Sequence, residues 1–98
     1  MNIVLNDNTT FEVNEAREFV QYEDGLVGKD LIYTLVFNIV DNTLSLDEIA
    51  PKFSDENLAS FVLNTDTMTK NFTGYSLRNS EVNLDSSAST VKVVLAKK

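Results

Sequence analysis

Four carboxylates, Asp47, Glu48, Asp55 and Glu56, are the residues whose types and spacing could most readily do chemistry. Neighbouring carboxylates can serve as general acid and base, or hold a hard divalent cation. The rest of the chain gives them little to work with. There is no histidine, which removes the commonest general base and the commonest transition-metal ligand. There is no cysteine, so thiolate nucleophiles, disulfides and thiolate metal sites are excluded. Serines and threonines abound, but nothing marks a base that would activate one. A carboxylate-only magnesium or calcium site stays open, because oxygen ligands are plentiful, yet no spacing specifies it. The more economical reading of the four acids is electrostatic. Each pair follows a serine that can cap a helix, Ser45 or Ser54, and acids in a first helical turn offset the positive end of the helix dipole.

Two further stretches invite a ligand and fail on detail. Asn6-Asp7-Asn8-Thr9 has the oxygen density of a calcium loop, but no glycine and no distal glutamate follow at the required positions. A turn is the simpler reading, since these side chains bond their own backbone. Gly25 and Gly28 could bring backbone amides to a phosphate, but no Walker or dinucleotide pattern surrounds them and Lys29 stands alone. The triplets Asn8-Thr9-Thr10 and Asn71-Phe72-Thr73 fit the glycosylation pattern and are read as chance in a chain rich in Asn and Thr.

The formal net charge is −7, from 8 basic and 15 acidic residues. A phosphate-tracking nucleic-acid surface needs a basic face, and so does an anionic membrane. Direct nucleic-acid binding and membrane binding are therefore disfavoured, and small-molecule binding has no motif behind it. Acidity serves solubility first. It also allows an acidic face to mimic nucleic acid and fill a basic groove. The N-terminus has neither a basic region nor a long apolar core, so no secretory signal is expected. The longest apolar stretch, residues 31–40, is too short to span a bilayer as a helix.

A single domain of 98 residues must position whatever surface does the work. Residues 60–97 read as three strands with turns between them: 60–65, 70–84 around Gly74, and 90–96. Residues 2–5 and 10–14 form a first hairpin, with Phe11 and Val13 on one face and Glu12 and Asn14 on the other. Residues 15–22 fit a helix through Ala16, Phe19 and Val20, and a strand through Phe19, Val20 and Tyr22; the strand is favoured. A longer loop is expected over 23–29. Residues 30–40 are apolar on both faces, which predicts a central strand covered on both sides, the following segment covering the second. Ser45 and Glu48 match a capping box, and Leu46, Ile49, Ala50 and Phe53 form one helical stripe. Pro51 interrupts that helix and predicts a kink, or one turn followed by another capped at Ser54. Gly74 is expected to mark a bulge, Arg78-Asn79-Ser80 a kink, residues 85–89 a loop, and Lys97 and Lys98 a frayed end.

The predicted fold is α+β: a mainly antiparallel β-sheet of about five to seven strands with one short kinked helix packed on it. The expected core is Ile3, Leu5, Phe11, Val13, Tyr33, Leu35, Phe37, Ile39, Leu46, Ile49, Phe53, Phe61, Leu63, Phe72, Tyr75, Val82, Leu84, Val91, Val93 and Leu95.

The short acidic N-terminal hairpin, Leu46-Asp47-Glu48-Ile49, and Phe72-Thr73-Gly74-Tyr75 followed by Thr90-Val91-Lys92-Val93-Val94-Leu95 resemble small proteins encoded in prophages of Gram-positive bacteria. The resemblance covers most of the chain after Asp30, with Pro51 as a departure. It implies a phage accessory or virion component, in the host cytoplasm or the virion, and brings no catalytic residues. Together with the missing chemistry, it predicts a non-catalytic module without cofactor that meets a protein partner or itself. The alternatives are an acidic inhibitor mimicking nucleic acid and an enzyme with a carboxylate-held metal.

Overall fold

A computed structural model describes residues 1–25, 28–41, 43–84 and 89–97 of the chain. Among the described residues seven strands make one antiparallel sheet: β1 (Asn2–Val4), β2 (Thr10–Gly25), β3 (Gly28–Ile39), β4 (Ser60–Asn64), β5 (Thr69–Thr73), β6 (Ser76–Leu84) and β7 (Ser89–Lys97). Their order across the sheet is β5-β4-β1-β2-β3-β7-β6. The predicted α+β, mainly antiparallel architecture is the one observed.

The sheet is curled. Tyr33 on β3 and Phe72 on β5 have ring centroids 5.0 Å apart. Those strands are four lanes apart in the order, about 19 Å in a flat sheet at about 4.8 Å per lane. Both halves therefore turn their inner faces onto one core, which joins Ile3, Phe11, Phe61, Leu63 and Phe72 to Tyr33, Leu35, Phe37, Val91, Val93 and Leu95. The β5–β6 corner closes the curl through Gly74, whose N–H donates to the Ala59 carbonyl at 3.3 Å. Gly74 has φ +78°, where a side chain is strained, so it marks a corner between two strands. The expected single strand over 70–84 is thus two strands at opposite ends of the sheet. The bulge lies at Arg78, where the β6–β7 register shifts.

The hinge of the curl is a bulge in β2. Asn14 pairs with Asn38 and Arg17 with Val36, so β2 spends one more residue than β3 between the two pairs. Glu15 takes up the extra residue at φ 52°, and its Oε2 accepts from Asn38 Nδ2 at 2.8 Å. The bulge changes the phase of the strand. Before it, Phe11 and Val13 point inward; beyond it, Glu18, Val20 and Tyr22 share the inner face of their partners Leu35, Tyr33 and Leu31. The same strand reaches Gly25 and β3 begins at Gly28, so the described residues of the loop expected over 23–29 are strand residues, and residues 26 and 27 lie outside the described ones.

Between β3 and β4 the chain makes α1 (Leu46–Ile49), a 3-10 turn (Ala50–Lys52) and α2 (Asp55–Leu58). The Glu48 carboxylate accepts from Ser45 N–H at 3.2 Å, completing the capping box. Pro51 enters the 3-10 turn, where its missing N–H costs little. The Ser54 hydroxyl accepts from Asn57 N–H at 3.2 Å and starts the second turn. Of the two forms expected around Pro51, a kinked helix or one turn followed by another capped at Ser54, the second is observed.

This segment does not cover the second face of β3. Phe53 lies between Phe11 and Phe37, with centroids 5.6 and 5.7 Å away, so the helices fill the inner face. Leu46 is exposed rather than core, Leu58 and Ile32 are buried without having been foreseen, and Tyr75 and Val82 pack partly buried against the core. The Leu84 side chain, most of the loop expected over 85–89, and Lys98 lie outside the described residues. Ser89 and Lys97 are strand residues of β7.

Candidate interaction surface

The residues first considered for chemistry are held by the fold. Asp47, Glu48, Asp55 and Glu56 sit in the first turns of α1 and α2. Glu48 caps its helix, and Asp55 Oδ1 accepts from Leu77 N–H at 2.8 Å, tying α2 to β6. No three carboxylates converge to hold a metal ion among the described residues. Asp7 accepts from Thr9 N–H at 2.9 Å and meets Lys52 Nζ at 3.3 Å. Hydrogen bonds from Thr9, the side chain first, hold its carboxyl down at about 2. The Asp7 loop is a turn pinned to the helices. Lys29 meets Asp24 at 3.1 Å, and a Cβ at Gly25 would lie 2.8 Å from the Asp30 carboxylate oxygens. An anion would meet two carboxylates at that hairpin.

The fold leaves open the far half of β2. β1 pairs with β2 only at residues 10–12. Val13 N–H donates to the Met1 carbonyl at 2.9 Å, and beyond it no backbone group bonds to β2 from that side among the described residues. The strand continues to Gly25 with β3 on one edge and a vacant lane on the other. Along that lane Phe19 is 56%, Val20 57% and Tyr22 67% exposed. They alternate between faces, so both faces of an edge strand are apolar there. Edge strands are usually guarded by lysines, prolines or bulges. Residues 18–22 carry none of these.

The outer face beside this edge is also uncovered. Arg17, Phe19, Thr34, Val36, Lys92 and Val94 line a shallow trough of about 650 Å³. The register explains the lining: Arg17, Val36 and Lys92 form one cross-strand row, and Phe19, Thr34 and Val94 the next. In this acidic protein Lys29, Lys52, Lys70 and Arg78 are committed to ion pairs. Arg17 and Lys92 make none among the described residues, and they flank the trough.

Two charge clusters bound the open edge. At one end Lys70 reaches across from β5 to Glu18 at 2.7 Å. Behind that pair lies Tyr33, 5% exposed, whose hydroxyl has no hydrogen-bond partner. Burial, reinforced by the Glu18 carboxylate, drives the Tyr33 pKa well above the ordinary tyrosine value. At the other end Glu23 and Asp30 share the single guanidinium of Arg78, which leaves a carboxylate in excess.

Compared with family models, curated proteins and solved structures, the chain matches none. No described helix is long and apolar enough to cross a membrane.

The surface escaped sequence reasoning because its two parts depend on pairing. That residues 15–22 form a strand was legible; that β1 stops short of them was not. One signal was available. Phe19 stands on one face and Val20 and Tyr22 on the other, the mark of a strand whose two faces both seek cover.

Proposed function

We propose that this chain is a non-catalytic interaction module that docks on a larger protein assembly. The observation that carries the reading is the open edge of β2, where Phe19, Val20 and Tyr22 stand exposed on a strand with a vacant lane. Exposed aromatic and β-branched side chains beside unpaired backbone groups form a template for another strand, with affinity from the main chain and selectivity from alternate side chains. The uncovered trough adds apolar area next to that edge. The resemblance of the hairpin, helix start and C-terminal strands to small prophage-encoded proteins supports a phage structural or accessory role, in host cytoplasm or virion.

The test is capture of partners by the immobilised chain from a lysate of the producing cell. It is run beside a Phe19→Ser/Tyr22→Ser double variant, with calorimetric titration by magnesium, calcium and manganese. The expected result is a stoichiometric protein partner, or further copies of the chain, held by the parent and released by the double variant, with no heat of metal binding. Equal retention by both proteins, or a saturable metal isotherm, would overturn the reading.

A further inference from the structure

We infer that the vacant lane beside β2 takes the β2 strand of a second copy, antiparallel, about a two-fold axis at Val20. This rests on the docking reading and names its occupant. A two-fold axis perpendicular to the sheet keeps each residue on its own face, so odd-numbered residues of one β2 must meet odd-numbered residues of the other. That restricts the pairing to alternate registers, and charge chooses among them.

With Val20 opposite its own copy, Arg17 faces Glu23 of the second copy, and the symmetry repeats the contact. Arg17 has no ion pair within its own chain among the described residues. Glu23 belongs to the cluster in which two carboxylates share Arg78. A free cation thus meets an excess carboxylate, twice. Phe19 then faces Gln21, and Glu18 faces Tyr22, with no like charges opposed. Centring the pair on Gln21 instead would set Glu18 against Asp24, which is unfavourable, and centring it on Phe19 would set Arg17 against Gln21 and leave Arg17 without a carboxylate. The seven residues from Arg17 to Glu23 lie beyond the bulge, where the β2–β3 register runs without a shift. Pairing there would extend β1's lane with a strand running in β1's own direction, set cross-strand neighbours beside the exposed side chains of the edge, and join two sheets into one.

The chain has no native cysteine, so single cysteines report the register cleanly. Val20 is exposed, and cysteine there leaves the core alone. The experiment combines light scattering over a concentration series with mild oxidation of Val20→Cys and Tyr22→Cys. Thermal melts of each variant confirm the fold. The expected results are a parent mass that rises to twice that of the chain, and a covalent dimer formed by Val20→Cys in large excess over Tyr22→Cys. Only residue 20 meets its own copy within disulfide reach. Arg17→Glu sets like charges opposite at two symmetric places and should weaken the dimer by about tenfold or more.

A parent that stays monomeric overturns self-pairing. So does cross-linking that is equal at 20 and 22, or a dimer indifferent to Arg17→Glu. A monomer that still captures another protein, and loses it with Phe19→Ser/Tyr22→Ser, overturns only the second copy as occupant and leaves the docking reading in place. A monomer that captures nothing overturns both.

Discussion

Tyr33→Phe should make this protein more stable. The ring stays packed on Phe72 and Tyr75, with centroids 5.0 and 6.1 Å away. What disappears is one buried hydroxyl without a partner. An unpaired buried hydroxyl costs about 1–3 kcal/mol. The void left by its oxygen, on the order of 10–15 Å³ at about 24 cal/mol per Å³, returns only about 0.3 kcal/mol. The net gain is about 1–2 kcal/mol. Unfolding entropy of about 2.1 cal/mol/K per residue, over 98 residues, converts that into a Tm rise of about 5–10 °C. Urea unfolding and scanning calorimetry at neutral pH read it directly. A second arm uses alkali. Burial and then Glu18 raise the folded pKa of Tyr33. Its contribution is therefore intact below about pH 10, where an unfolded tyrosine titrates, and is lost above that, because only the unfolded chain releases the proton. The parent should fall behind the variant by at most about 1.4 kcal/mol per pH unit, less to the extent that water screens the Glu18 end of the site. A variant less stable than the parent by about 1 kcal/mol at neutral pH would show that the hydroxyl is bonded to Glu18, refuting the argument. Parallel stability curves above about pH 10 would show that folding does not hinder its ionisation.

Three further outcomes are expected. Phe37→Ala should cost about 3–5 kcal/mol, because Phe37 is fully buried against Phe53; chemical denaturation checks it, and an unchanged midpoint would remove Phe37 from the core. Gly74→Ala should cost about 1–2 kcal/mol through backbone strain alone, since φ is +78° and the nearest atom to an added Cβ is Lys97 Cε at 3.9 Å. A carbon-detected NMR titration should place the Asp7 midpoint near 2, its depressed value contributing stability that is present above the unfolded carboxyl pKa and lost as the pH falls through that midpoint.

The parts of this fold that were legible were those set by local period. Val91, Val93 and Leu95 alternate inward, as do Tyr33, Leu35, Phe37 and Ile39, and all are buried. Ser45, Glu48, Pro51 and Ser54 announced two capped turns by chemistry that acts over three or four residues. Residues 15–22 were ambiguous for a physical reason. The bulge at Glu15 shifts the alternation by one, so Phe11 and Val13 read in one phase and Val20 and Tyr22 in the other. The same effect at Arg78 puts Leu77 and Val82 on one face despite their odd spacing. The second face of β3 was misassigned because apolar character predicts covering and does not say by what. The candidate surface depended on where β1 ends relative to β2, a long-range fact with no local sign. The pair Glu18–Lys70 bridges a sequence separation of 52 and was equally unreadable.

The short β1 strand has a consequence in time. It is held between β2 and β4, and its β4 partners are roughly sixty residues downstream, Asn2 against Asn64 and Val4 against Val62. Closing so large a loop must precede the reward of those bonds, which slows folding relative to a chain of local hairpins. On a ribosome adding about 5–20 residues per second, β1 would wait several seconds for β4 to be made. Through that interval the β2–β3 hairpin can form alone, since its register is contiguous in sequence. The nascent chain would then offer its unguarded edge before the rest of the sheet exists, so neighbouring copies on one message could pair during synthesis rather than after release.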